Sequence, residues 1–382
     1  MTQDVDFVII GAGIAGASAG YFLARDAKVV LLERESQPGY HTTGRSAALF
    51  AESYGTAQVR ALTLASRAFF EHPPDGFCDG PILEPRAVVF IGTRDQADLL
   101  DDMHRMIAGF TSQVARFDAA ETLRRIPVLR PAFADGAVLD GGAADMDVHA
   151  LHHGFLRGIR ACGGVVRCDA DVTALTRDRG HWRVEAGGAT WTAPVVINAA
   201  GAWADRVAAL AGIAAIGLVP KRRTAFTFPA PAGHETAHWP CVIAVDESFY
   251  FKPDAGQMLG SPANADPVDP HDVRPEEEDV ATGIWRIEEA TTLQIRRPSH
   301  TWAGLRSFVA DGDLVAGFDP GADGFFWCAA QGGYGIQTSA AMGEACAALA
   351  RGDDLPAHIA AFGLTAAMLS PTRLSHPGPG HG

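Results

Sequence analysis

Apolar and polar positions near the start of the chain fall into a strand, a turn, a helix and a second strand. After Asp6, the successive apolar residues Phe7, Val8, Ile9 and Ile10 read as a strand, and they run directly into Gly11-Ala12-Gly13-Ile14-Ala15-Gly16. An Ala- and Leu-rich helical segment follows, then a second apolar run, Val29-Val30-Leu31-Leu32, closed by the acid Glu33. This order predicts a βαβ unit.

Further along, a Gly-, Thr- and Ser-rich loop over 38–46 precedes a helical pattern over 56–70, which Pro73-Pro74 and Gly76 interrupt. Residues 82–91 read as a strand, 95–107 as an amphipathic helix and 148–162 as another helix. Val165-Val166 and 171–175 read as strands of the first sheet, 182–191 as a hairpin, and 194–197 as a buried strand entering a small-residue turn. Between Gly217 and Arg297 the texture changes. Residues 225–228, 242–245 and 249–251 read as antiparallel strands, and the acidic stretch 275–279 opens a helix. A last apolar strand over 325–330 leads to Gly332-Gly333-Tyr334-Gly335 and an alanine-rich helix starting near Ile336.

These elements imply an α/β fold. A Rossmann-like nucleotide-binding domain is expected from 1–85, 145–216 and 300–370, with an inserted substrate domain from 86–144 and 217–299. The inserted domain is expected to be a largely antiparallel sheet flanked by helices, and 371–382 an unordered Pro/Gly/His-rich tail. A length of 382 residues favours two domains over a single core.

Composition narrows the picture little. Apolar residues make up 47% and charged residues 20%, as in ordinary globular proteins. A net charge of −14 argues against a nucleic-acid partner, while leaving room for a local basic pocket that takes a small anion. The six cysteines, Cys78, Cys162, Cys168, Cys241, Cys328 and Cys346, form no CxxC pair, so reduced thiols and no metal site are expected. Glycines interrupt the first apolar stretch, which therefore reads as neither a leader nor a transmembrane segment. The expectation is a cytoplasmic protein.

The chemistry starts at the glycines. Gly11 permits the tight turn off the strand, Gly13 lets backbone amides approach a pyrophosphate, and Gly16 lets helix and strand pack closely. The helix N-terminus adds about half a positive charge for the phosphates. Glu33, twenty residues beyond Gly13, stands where a ribose diol is bound. The second glycine cluster, ahead of another helix, is a further place where a helix N-terminus faces a ligand, and a reduced flavin carries negative charge that such a dipole stabilises.

Together, Gly11–Gly16 with Glu33, Gly44-Arg45-Ser46-Ala47-Ala48, Asn198-Ala199-Ala200-Gly201-Ala202-Trp203 and Gly332-Gly333-Tyr334-Gly335-Ile336-Gln337-Thr338 resemble the glycine/D-amino-acid oxidase family of flavoenzymes. Its bacterial D-arginine dehydrogenases are the most similar branch. The likeness extends through Gln37-Pro38-Gly39-Tyr40-His41, Lys221-Arg222-Arg223, Asp246-Glu247-Ser248-Phe249-Tyr250 and Gly304-Leu305-Arg306-Ser307-Phe308. It implies noncovalent FAD, because no cysteine occupies the flavin-attachment position near Gly304-Leu305 and His41 reads as a turn histidine. It implies FAD contacts from Gly11, Gly13, Ile14, Ala15, Gly16, Glu33, Arg34, Thr43, Gly44, Arg45, Ser46, Ala47, Val172, Ala200, Gly201, Trp203, Gly332, Gly333, Tyr334, Gly335, Ile336, Gln337 and Thr338.

The implied reaction is oxidation of an amino acid to an imino acid, which water hydrolyses to a keto acid and ammonia. Electrons would pass on to a quinone, a dye or dioxygen. In that scheme Arg223 and Arg306 clamp the carboxylate, Tyr250 adds a hydroxyl, the Gly333 carbonyl receives the amine, and Tyr54 lies in a mobile loop over the entrance. Leu49, Ala51 and Val88 stand where the arginine-specific members carry polar groups, and Cys241 and Ile243 continue the apolar wall. An apolar or aromatic D-amino acid is therefore expected to outperform a cationic one, unless Glu52 or Glu84 replaces the missing guanidinium partner. A flavin-dependent 2-hydroxy-acid dehydrogenase is the alternative, since the same clamp serves an alcohol.

Overall fold

The computed structural model describes residues 2–375. Among these, the first sheet has six strands in the order Val165–Arg167, Val29–Leu32, Phe7–Ile10, Val195–Asn198, Phe325–Ala329 and Val315–Phe318. All neighbours are parallel except the last pair. A sheet covered on both faces has strands that are apolar throughout, and Phe7–Ile10 and Val29–Leu32 are buried at every position.

Successive residues serve opposite cores. Ile9, Leu31 and Ile197 pack with Ile14–Leu23, Val148–Ala161 and Ser339–Arg351, the helices of one side. Val8, Val30 and Val196 pack on the other side against Trp182, Val184 and Trp191. Those three belong to a separate four-stranded sheet of Thr2–Asp4, Ala189–Ala193, His181–Ala186 and Val172–Asp178. Val172 therefore belongs to this covering layer rather than to the first sheet. The hairpin it joins alternates buried and exposed positions, as a sheet with one wet face must.

The second body is a nine-stranded sheet. Its main path runs Asp266–Pro267, Val219–Pro229, Gln257–Ser261, Tyr250–Asp254, Cys241–Ala244, Val88–Gly92, Gly136–Asp140 and Val114–Asp118. Its pairings are antiparallel except Cys241–Ala244 with Val88–Gly92. The ninth strand, His300–Phe308, was expected in the nucleotide domain but pairs along its length with Val219–Pro229.

Residues 82–91 do not form one strand. The chain breaks after Pro85, and Leu83–Pro85 joins Leu49–Phe50 and Ala144–Met146 in a small sheet of its own. Pro371–Ser375, expected in the unordered tail, form a 3-10 turn that Arg373 ties to Asp311 at 2.8 Å. The rest of that expected tail lies outside the described residues. No helix among the described residues is long and apolar enough to cross a membrane.

Candidate active site

The first glycine turn is built as the sequence requires. Gly11 has φ of +102°, and a Cβ there would stand 2.4 Å from the Ala199 carbonyl oxygen. A Cβ on Gly16 would meet the Gly11 carbonyl oxygen at 2.0 Å, so Gly16 serves helix packing and does not reach the cavity. Ile14 N donates to Thr43 Oγ1 at 3.0 Å and Ala12 N to Glu33 Oε2 at 2.9 Å. Glu33 thus braces the turn while still lining the cavity.

His152, a residue the sequence reading passed over, donates from Nε2 to the Ala12 carbonyl at 2.9 Å. Burial lowers its pKa to about 4. The unfolded chain, with an ordinary histidine, takes up this proton near pH 6.5, before the folded chain does. Stability from this group is therefore full above pH 6.5 and falls as the pH drops toward 4. By pH 5 the expected loss is about 2 kcal/mol. Urea midpoints of the parent and His152→Asn at pH 7.5 and pH 5 check this, with the parent expected to lose more on acidification.

One elongated cavity joins the glycine turns. Gly11, Gly13, Ile14, Ala15, Glu33, Arg34, Thr43, Arg45, Ser46, Ala47, Val172, Ala200, Gly201, Trp203, Gly332, Gly333, Gly335 and Ile336 all line it. At one end the Arg34 guanidinium lies 4.1 Å from the centre of the Trp203 ring, and His41 pairs with Glu35 at 2.8 Å. Besides Gly16, four expected cofactor residues turn elsewhere. Gly44 closes a turn onto the Gly39 carbonyl at 2.8 Å, and Tyr334 packs on Tyr54 with centroids 5.1 Å apart. Gln337 Nε2 donates to Thr63 Oγ1 at 2.9 Å, and Thr338 Oγ1 donates to the Tyr334 carbonyl. The helix begins at Ser339, later than expected, because residues 332–338 form consecutive turns.

At the other end the cavity is lined by Arg223, Tyr250, Arg306 and Gly333. The antiparallel register sets Arg223 opposite Gly304 and Lys221 opposite Arg306, which puts both arginines on one face as diagonal neighbours. Gly304 has no side chain to fill the space before Arg223. On the opposite face, Arg222 is held by Asp266, Glu276 and Asp279.

Arg223 and Arg306 enter no such pair among the described residues. Arg223 Nε donates to the Asn264 carbonyl at 2.6 Å, and Arg306 Nη1 to the Tyr54 hydroxyl at 3.4 Å. Burial and the adjacent Arg306 charge lower the Arg223 pKa. Burial also opposes the charge on Arg306, but Tyr54 and Tyr250 outweigh it and raise its pKa. Two neighbouring guanidinium groups without an ion-paired acid make a site for an anion.

The loop carrying Tyr54 is tethered. Ser53 Oγ donates to Asp140 at 2.7 Å, Ala51 N to Gln337 Oε1 at 3.4 Å, and Arg67 holds Glu52. Glu52 is thus already paired, and Glu84 is exposed. Sequence reading also missed Glu247, an exposed acid with φ of +57° whose charge reaches Arg223 and Tyr334. Burial pushes the Tyr334 hydroxyl up to about 12, so it stays protonated at neutral pH.

Leu49, Ala51, Val88, Cys241 and Ile243 do meet, in one apolar cluster with Phe90 and Tyr54. Val88 and Cys241 are fully packed in its floor, while Leu49 and Ile243 are half-buried. Burial pushes the Cys241 thiol up to about 12, so it is no nucleophile.

Comparison with known proteins gives the family and the fold. The profile of the family described as FAD dependent oxidoreductase (DAO) matches residues 6–349. Glycine oxidase of Geobacillus kaustophilus is 24% identical over 380 residues, spanning 96% of this chain and 98% of that protein. FAD-dependent oxidoreductase domain-containing protein 1 of Xenopus laevis is 23% identical over 404 residues, spanning 91% and 79%. The crystal structure of the Geobacillus enzyme superposes with a TM-score of 0.84 at 23% identity, over 98% of this chain and 100% of that one. The L-proline dehydrogenase of P. horikoshii superposes with a TM-score of 0.82 at 19% identity, over 98% and 99%.

Proposed function

The chain belongs to the FAD-dependent oxidoreductase (DAO) family, and from that premise we propose that it oxidatively deaminates D-amino acids with apolar or aromatic side chains. The observation that carries this reading is the pair Arg223 and Arg306, neither ion-paired among the described residues and both lining the cavity with Gly333. FAD fits the cavity: the Gly11–Gly16 turn leaves the close approach a pyrophosphate needs, and Glu33 stands beside it. Bound there, FAD supplies the two-electron acceptor for the α-carbon hydride.

The chain's own residues do the rest. Arg223 and Arg306 hold the substrate carboxylate, and the Tyr250 hydroxyl supports it. Fixing the carboxylate orients the α-carbon, which is worth more to the rate than affinity alone. The Gly333 carbonyl receives the amine, and the low-dielectric surroundings favour its neutral form. The cavity end presents no strong side-chain base, and none is required. The imino acid leaves for hydrolysis in water, and a quinone, a dye or dioxygen takes the electrons.

The side-chain preference is supported by the apolar cluster of Leu49, Ala51, Val88, Cys241 and Ile243, which packs against Tyr54, although none of the five lines the cavity itself. A guanidinium there would lose water and find neither Glu52, which Arg67 holds, nor the exposed Glu84. The expected preference over D-arginine and D-lysine is at least about tenfold in kcat/KM, or ~1.4 kcal/mol. Rates for D-phenylalanine, D-leucine, D-methionine, D-arginine and D-lysine, read with dioxygen and with a dye, check this. Ammonia release distinguishes deamination from 2-hydroxy-acid oxidation. A preference for D-arginine would overturn the apolar reading.

A further inference from the structure

The two-stranded ribbon that carries Arg223 and Arg306 comes apart at its other end. Val219–Pro229 pairs with His300–Phe308 as far as Thr227 opposite His300, and the Ser299 N–H donates to the Thr227 carbonyl at 2.7 Å. Beyond Thr227 one edge of the strand stays paired, Phe228 with Met258 and Pro229 with Gln257, while the other edge loses its neighbour. From there the two chain segments flank a second cavity of about 570 Å³, lined by 228–232, His234, 292–297 and Val128. It shares no lining residue with the cavity between the glycine turns. Arg306 lies about 20 Å further along its strand than His300.

This fork has an apolar floor and a cationic rim. Val128, Phe228, Leu293 and Ile295 are buried and belong to the core of the second body. Burial alternates along 293–296, with Leu293 and Ile295 inward and Gln294 and Arg296 exposed, which is the period of a strand. That segment has no ladder. Among the described residues, the carbonyls from Leu293 to Arg297 accept no hydrogen bond, and the N–H groups of Gln294, Arg296 and Arg297 donate none. Pro229 and Pro231 on the facing wall have no N–H, which keeps the two walls from pairing with each other. Arg296 and Arg297 are exposed and enter no ion pair among the described residues, and no Asp or Glu lines the cavity. Glu288 is turned to the Ile295 N–H at 2.6 Å. A chain of net charge −14 thus keeps two unpaired cations beside an open sheet edge.

We propose that this fork is a docking site for an extended acidic peptide segment of a partner protein. The segment adds as a strand along 293–297, a stretch of about 16 Å, through main-chain hydrogen bonds that the edge leaves unmade. One apolar side chain settles on the floor of Phe228 and Ile295, and carboxylates flanking it pair with Arg296 and Arg297. A cationic segment meets like charge there and is rejected.

The experiment selects random dodecapeptides displayed on phage against the FAD-loaded protein, and measures Kd of the enriched peptides by titration calorimetry. Enriched sequences are expected to carry two or more acidic residues around an apolar one. The double variant Arg296→Gln/Arg297→Gln is expected to raise Kd at least about tenfold while FAD content stays at the parent level. N-methylation of alternate main-chain nitrogens in the peptide is expected to weaken binding by a similar factor, because it removes the donors of a strand. Absence of enrichment overturns the proposal, as do enriched peptides whose Kd the double variant leaves in place. Peptides that need the arginines but tolerate N-methylation overturn it as well, since charge alone then holds them and no strand is added.

Discussion

Arg306→Met is expected to lower kcat/KM by about 100-fold while leaving the FAD content at the parent level. Arg306 contributes a two-pronged donor, each charged hydrogen bond to a carboxylate being worth ~1.5–3 kcal/mol. The guanidinium presses against Gly333, where an added Cβ would lie 2.8 Å from Nη1. Its loss therefore removes both charge and wall at the reacting end. Arg223→Met acts on the same anion from the adjoining strand and should lose activity in parallel. Lysine at 306 should recover little, because a point charge does not reproduce the fork. Steady-state kinetics with the flavin spectrum as a loading control decide the matter, and unchanged efficiency in both methionine variants would refute the clamp.

Gly13→Val is expected to yield a folded chain with almost no FAD. A Cβ at Gly13 meets one neighbour, Thr43 Oγ1 at 3.2 Å, and the residue has an ordinary negative φ of −72°. The fold therefore accommodates the side chain with a small shift of Thr43, whereas the pyrophosphate approach is blocked. Gly11→Ala makes the informative contrast. Its Cβ would collide with the Ala199 carbonyl, and φ of +102° strains any other residue, so folding itself should suffer. Absorbance of released flavin, beside circular dichroism of the protein, separates the two outcomes. A Gly13→Val protein with full flavin would contradict the assignment of the turn.

Much of this site was legible because local rules and long-range structure agree where a nucleotide binds. Phe7–Ile10, the three glycines and Glu33 lie within one βαβ unit, so their spacing carries their geometry. The arginines were legible only by resemblance, since their meeting depends on His300–Phe308 crossing to pair with Val219–Pro229. No periodicity within either strand reveals that register. Gln337 and Thr338 misled for the opposite reason: they sit in a motif whose neighbours face the cavity, yet tertiary partners turn them toward Thr63 and Tyr334. Asp145, which pairs with both Lys252 and Arg86, was invisible because each of these charges, read alone, belongs to a solvated surface. Only the stacking of two sheets makes them one cluster.

The cavity also has an order of manufacture. Its walls come from the first glycine turn, from Ala170 to Leu210, from Arg223 and Tyr250, and finally from Trp302 to Ile336. A nascent chain that has not yet released Ile336 from the ribosome has no closed pocket, whatever the first βαβ unit has already folded into. FAD therefore discriminates between finished and unfinished chains, and at a hundred times its Kd it adds about 2.7 kcal/mol to the finished ones alone.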